Sequence, residues 1–134
     1  MRLSRKSQYG LRAMICLARE RKTVSINEIS KAEKIPFPFL EKIMGLLRNA
    51  NIVKAIKGAR GGYLLAKKPN KISIGEIVRT IEKGISIAPC LGDIGSLKNI
   101  CKRKNRCLAR EAWKKLQDSL QNTLDSMTLD NLID

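Results

Sequence analysis

Apolar residues recur at three- and four-residue steps through Leu3, Leu11, Met14, Ile15, Leu17 and Ala18 as far as Arg21. That spacing lays one buried stripe along a first α-helix. Ser25 and Glu28 have the spacing of a capping box, with Ser25 accepting from the Glu28 amide and Glu28 returning to the Ser25 amide, so a second helix starts there and ends near Ile35. Pro36 forces its predecessor out of helical geometry, while Pro38 fits the first turn of a third helix, where a missing N–H costs nothing. This third helix is expected over residues 36–49, with Phe39, Leu40, Ile43, Leu46 and Leu47 in the core. Two short helices joined by a tight turn have the form of a helix-turn-helix.

Beyond them the period shortens. Ile52 to Ile56 and Tyr63 to Ala66 read as two strands around Lys57-Gly58-Ala59-Arg60-Gly61-Gly62, a glycine-rich basic hairpin. A second capping box, Ser73 with Glu76, opens a helix through Ile77, Val78 and Ile81 to about Lys83. Periodicity then disappears from Gly84 to Arg106, a length of loop that usually serves a function. Leu108, Ala112, Leu116, Leu120 and Leu124, with Trp113 and Met127 alongside, mark a long last helix and a candidate dimer interface. The expected fold is therefore mainly α with a small β-wing: a winged helix-turn-helix plus a long C-terminal dimerisation helix. Its divisions are residues 1–83 for the winged-helix domain, 84–107 for a cysteine-containing loop, and 108–134 for the dimerisation helix and tail.

Charge narrows the partner. Lys and Arg number 27 against 12 Asp and Glu, a formal +15 on 134 residues, which attracts polyanions through its long-range field. The basic residues are scattered over every segment, not set opposite a bulky apolar face, which favours nucleic acid over a membrane surface. No stretch approaches the roughly 18 apolar residues of a membrane span. The N-terminal residues lack the apolar block of a secretory signal, so a cytoplasmic location is expected. The chain has no histidine, phosphate-binding glycine loop or nucleophile elbow, which argues against an enzyme.

Of the four cysteines, Cys16 falls on the apolar stripe of the first helix and reads as a buried structural residue. Cys90, Cys101 and Cys107 lie in or at the end of the aperiodic loop. Where structural disulfides are disfavoured, an odd set of three points to metal binding or redox chemistry. On residue types alone an iron–sulfur cluster, a zinc site and a thiol switch stand level. The basic neighbours Lys102, Arg103, Lys104 and Arg106 would lower thiol pKa values and offset cluster charge.

Met1-Arg2-Leu3-Ser4, Tyr9-Gly10-Leu11-Arg12-Ala13, Phe39-Leu40-Glu41-Lys42-Ile43, the segment from Lys57 to Leu65, and Ile74-Gly75-Glu76-Ile77 together resemble the IscR/NsrR family of iron–sulfur winged-helix transcription regulators. The resemblance covers nearly the whole chain. It implies a symmetric homodimer on double-stranded DNA, a recognition helix in the major groove, a wing in the minor groove, and a 2Fe–2S or 4Fe–4S cluster held by Cys90, Cys101 and Cys107. The cysteine spacing departs from the family's: ten residues separate the first two. Where relatives place a histidine three residues after the last cysteine, this chain has Arg110, which cannot ligate. Glu111, Asp93, Gln8, an external thiol or water remain as fourth ligands.

For DNA, the expected contacts are Arg2, Pro38, Phe39, Glu41, Lys42, Lys57, Arg60, Gly61 and Gly62. Pro36, Phe37, Pro38 and Phe39 favour apolar contact with thymine methyls over hydroxyl hydrogen bonding. Glu41 can accept from cytosine N4, and Lys42 can hold phosphate. Lys57 or Arg60 can enter a narrow minor groove, with glycines permitting close backbone approach. The resulting expectation is a regulator, by default a repressor, whose DNA affinity is set by the cluster. Its rivals are the same reader with a thiol–disulfide or zinc switch, and a partner-binding adaptor with weak DNA binding.

Overall fold

The computed structural model describes residues 2–91 and 106–133. Among them are five α-helices and one two-stranded antiparallel sheet: α1 (Arg5–Glu20), α2 (Ile26–Glu33), α3 (Phe37–Asn49), β1 (Val53–Ile56), β2 (Gly62–Leu65), α4 (Ile74–Glu82) and α5 (Arg110–Ser126). No described helix is long and apolar enough to cross a membrane.

Ser4, Ser25 and Ser73 cap α1, α2 and α4, each side chain accepting from the amide three residues on. These bonds satisfy N–H groups that the first turn of any helix leaves unpaired. The reciprocal halves of the two expected capping boxes are different. Glu28 takes the Ser25 hydroxyl, 3.1 Å away, instead of its amide, and Glu76 turns to Lys67 Nζ at 2.9 Å. Arg21, Lys34 and Lys83 end these helices in the left-handed conformation, each N–H reaching back to a carbonyl of the last turn. Pro36 stands immediately before α3 and Pro38 in its first turn, as their missing N–H groups require.

The core lies where α1, α3 and α4 meet, closed on one side by α2. Met14 and Leu17 of α1, Ile29 of α2, Leu40, Ile43, Met44 and Leu47 of α3, and Ile77 of α4 are fully buried there. Phe39 was expected in this core and is instead 39% exposed, because Leu40 and Ile43 already occupy the inward face of α3. Leu3 lies ahead of α1 and is likewise exposed.

Two connections tie distant chain segments to this frame. Val24 pairs with Tyr63 through Val24 N–H to Tyr63 O at 2.9 Å and Tyr63 N–H to Val24 O at 2.8 Å, so the α1–α2 linker extends the wing sheet. After α5, Ile74 N–H donates to Met127 O at 2.8 Å and Leu129 N–H to Ile72 O at 3.0 Å. Leu129 is fully buried, so the tail docks on the winged domain and contributes to its core. A capping box at Thr128 and Asn131 starts its short 3-10 turn, Leu129–Leu132.

Candidate nucleic-acid interface and cysteine site

The first turns of α3 present Phe37, Pro38, Phe39, Glu41 and Lys42 on the surface. Phe37 is 42% exposed, which leaves two aromatic rings outside the core at the helix start. Phe39 is fixed edge-on against Tyr9 of α1, with ring centroids 5.8 Å apart. The Arg12 guanidinium lies over the Tyr9 ring, 5.8 Å from its centroid. Arg12 is itself anchored at the end of α2, to the Glu33 carboxylate at 3.8 Å and to the Glu33 carbonyl. The start of α3 is thus braced from both preceding helices. Residues 36–39 carry no side-chain hydrogen-bond donor, so any direct contact they make with base edges is apolar.

The hairpin forms a second group. β1 and β2 pair in the register Val53 with Leu65 and Ile56 with Gly62, leaving Lys57, Gly58, Ala59 and Arg60 exposed at the tip. Gly61 and Gly62 have an internal reason for lacking a side chain. A Cβ on Gly61 would collide with the Ile56 and Gly58 carbonyls of its own hairpin. On Gly62, at φ +153°, a Cβ would collide with the Val24 backbone. These two glycines let the wing close against the linker, whatever else they permit. Arg2 belongs to neither group: it is exposed ahead of α1, two residues before the Ser4 cap.

Ser4 is also where a network absent from any local pattern begins. Glu82, the last residue of α4, accepts the Ser4 amide at 3.0 Å and the buried Ser7 hydroxyl at 2.6 Å. Partial burial opposes ionisation of Glu82, but the hydrogen bonds from Ser4 and Ser7 outweigh it and hold the carboxyl below its ordinary value. The contact spans more than 70 residues of chain and fixes the start of α1 to the point where the cysteine segment departs.

Cys90 is buried on a short 3-10 turn, Pro89–Leu91, which packs against α5. Cys107 is half-buried just before α5, and both are free thiols. Cys101 and Asp93 lie outside the described residues. Among those described, no three His, Cys, Asp or Glu side chains converge. Glu111 is exposed, and Gln8 is exposed with its side-chain amide donating to the Leu3 carbonyl at 3.0 Å. Burial pushes the Cys16 thiol up, reinforced by Glu33 and Glu20, which keeps it protonated and unreactive. Two polar groups of α5 were not signalled by the sequence. Gln117 Oε1 accepts the Ile87 amide at 3.0 Å, and Arg110 Nε is buried with no hydrogen-bond partner among the described residues.

A profile of the Rrf2 family, described as iron-dependent transcriptional regulator, matches residues 3–134. The chain is 31% identical over 135 residues to the HTH-type transcriptional regulator IscR of Pectobacterium carotovorum, covering 99% of this chain and 79% of that protein. To the HTH-type transcriptional regulator CymR of Bacillus subtilis it is 36% identical over 134 residues, covering 98% and 89%. The structure of that CymR, described as the global cysteine regulator, superposes with a TM-score of 0.78 at 35% identity, over 98% of this chain and 95% of that one. IscR of T. potens superposes with a TM-score of 0.76 at 32% identity, over 98% and 85%. These relatives are named as regulators of transcription, not as enzymes. A winged frame of this topology, matched from Leu3 to its last residue, places the chain in the Rrf2 family of transcriptional regulators.

Proposed function

We propose that the protein is a homodimeric, cytoplasmic repressor that binds double-stranded DNA and carries an iron–sulfur cluster at Cys90, Cys101 and Cys107. Residues 1–83 form the DNA reader, 84–107 the sensor and 108–134 the dimer contact. In this reading the start of α3, with Pro38, Phe39, Glu41 and Lys42, enters the major groove. Lys57, Arg60, Gly61 and Gly62 follow the minor groove, and Arg2 holds backbone phosphate.

The observation that carries the cluster is the placement of the thiols. Cys90 and Cys107 stand free at the two ends of one segment, each against or beside α5, and Cys101 lies between them in the chain. The donor set suits the group: iron–sulfur clusters take cysteine thiolates, and the chain offers three without a histidine. The buried Arg110 Nε–H, without a hydrogen-bond partner among the described residues, is a further fit, since thiolates and a cluster bring negative charge. When bound, the cluster supplies one-electron redox chemistry and reactivity toward small oxidants. The chain's own part is to order residues 87–106 and so set the inclination of α5 to the winged domain. Two reading heads must meet major grooves about 34 Å apart, so a small rotation at the dimer axis changes operator affinity.

For the dimer, the support is apolar surface without cover. Leu108 is 92% exposed, and Trp113 and Leu116 on the first half of α5 are exposed as well. A monomer rarely leaves several large apolar side chains uncovered on one short segment.

Anaerobic reconstitution with iron and sulfide tests the reading, with visible spectra and iron content for wild type and a Cys90, Cys101, Cys107 triple alanine variant. Colour and iron in wild type alone establish the cluster; salt-dependent binding to DNA with and without it then tests the coupling. A colourless wild type leaves the second reading, a thiol–disulfide or zinc switch on the same frame.

A further inference from the structure

Serine side chains cap α1, α2 and α4, but α3 begins at Pro36, whose side chain offers no acceptor to the amides of the first turn. Leu40 anchors that turn: it is fully buried, and its amide donates to the Pro36 carbonyl at 3.1 Å. Phe39, the residue before it, lies outside the core and is 39% exposed. A helical backbone leaves an exposed aromatic side chain a choice of χ1 rotamers, so helix geometry alone does not fix where the Phe39 ring stands.

Tyr9 of α1 supplies what the backbone does not. Its ring meets Phe39 with centroids 5.8 Å apart and planes at 71°, the edge-on arrangement that the aromatic quadrupole favours. The backbone bearing Tyr9 is itself held. Its neighbour Gly10 is buried where a Cβ would collide with Ile81 of α4 and crowd Ile43 of α3, so α1 lies directly against both helices at this point. The Tyr9 ring packs on the edge of the core, and the Arg12 guanidinium stands over it at 5.8 Å. Arg12 is tied in turn to the carboxylate and the main-chain carbonyl of Glu33, the last residue of α2.

We propose that Tyr9 is a positioning residue for DNA sequence selection, holding the Phe39 ring in one orientation for contact with a thymine methyl. It lies outside the helix-turn-helix and acts through Phe39. The inference rests on the reading of α3 as the major-groove helix given above. A ring held before binding loses less side-chain freedom on binding, so Tyr9 contributes to affinity at the base that Phe39 meets. A loss of general stability would instead weaken binding to every sequence alike.

The test uses a DNA site selected from random sequence by the wild-type protein, with uracil placed at each thymine in turn. Phe39→Ala identifies its methyl, the one at which the uracil penalty disappears. If wild type selects no site, the DNA-binding reading fails; if no methyl depends on Phe39, its place in the major groove fails. Either result overturns the inference, and both are read before any Tyr9 variant. At that methyl, wild type and Tyr9→Phe are expected to bind uracil DNA about fourfold more weakly than thymine DNA, and Tyr9→Leu less than about twofold. Tyr9→Leu fills the space without a ring, and should bind the thymine site about fivefold more weakly than wild type. In a Phe39→Ala background the same change should have no further effect. A Tyr9→Leu protein that keeps the full uracil penalty while weakening both DNAs equally assigns Tyr9 to stability alone and overturns the proposal. A second measurement needs no Tyr9 variant: three-bond couplings at Phe39 in the free wild-type protein should report one χ1 rotamer, and averaged couplings overturn the proposal as well.

Discussion

Replacing Glu82 by Gln keeps the shape of the side chain and removes its charge, so it isolates what the carboxylate does at the joint between α1 and α4. Two donors converge on one Glu82 oxygen, the Ser4 amide at 3.0 Å and the Ser7 hydroxyl at 2.6 Å, and Ser7 is buried. A hydrogen bond to a charged group contributes roughly 1.5–3 kcal/mol, against about 0.5–1.5 for a neutral one. The two bonds together therefore lose roughly 2 kcal/mol in Glu82→Gln, at the low end of that difference because the carboxylate is partly solvated. For a chain of this size that lowers Tm by about 6 °C near neutral pH. The pH dependence follows from the direction of the shift. Glu82 has its carboxyl held below the ordinary value of 4.5 in the folded protein, so its stabilisation is complete above 4.5 and is lost as pH falls through the lower folded value. Thermal unfolding of wild type and variant, followed by circular dichroism from neutral pH downward, should show two melting temperatures that converge in acid. A gap that stays constant across that range would refute the charge argument, and no gap at neutral pH would refute the network's contribution altogether.

Two further outcomes are expected. Gly62→Ala should destabilise the protein by roughly 3 kcal/mol or more, since it adds a collision with the Val24 backbone to the strain of a positive φ. Gly58→Ala meets only the strain, at φ +111° in open space, and should cost about 1 kcal/mol; equal urea midpoints for the two variants would show that Val24 is no wall. Uracil in place of thymine, tested base by base in a DNA site selected from random sequence, should weaken wild-type binding about fourfold at a methyl that Phe37 covers, from about 0.8 kcal/mol per methyl group. Phe37→Ser should bind both DNAs alike, and a wild-type protein indifferent to every thymine methyl would dispose of apolar readout by this turn.

The helices were legible because each has a local cause: serine caps at Ser25 and Ser73, prolines at the entry to α3, and a 3.6-residue stripe in α1 and α5. The wing was legible from its glycines, yet their reason was not. Gly62 answers to Val24, some 40 residues earlier in the chain, and no pattern within the hairpin announces that pairing. Phe39 misled for the opposite reason: its apolar character fits a core stripe, and only the packed structure shows that Leu40 and Ile43 fill the inward face. The long-range polar contacts were hidden most completely. Glu82 with Ser7 and Gln117 with Ile87 link residues 75 and 30 positions apart, and each side chain taken alone reads as a solvated helix residue.

That division has a consequence for function. The winged frame is what the chain shares with both IscR and CymR, at 31% and 36% identity, so likeness along the whole chain identifies a transcriptional regulator of this family and does not choose its signal. Where α4 ends and α5 begins, Glu82 clamps the start of α1, Gln117 holds Ile87, and Arg110 Nε is buried without a hydrogen-bond partner among the described residues. The chain entering the cysteine segment is thus tied to α5 at Ile87 and, at the end of α4, to the first turn of α1. On the proposed reading of the cysteine segment, severing Glu82 from Ser7 should uncouple DNA affinity from the state of the cysteines while leaving DNA binding itself intact.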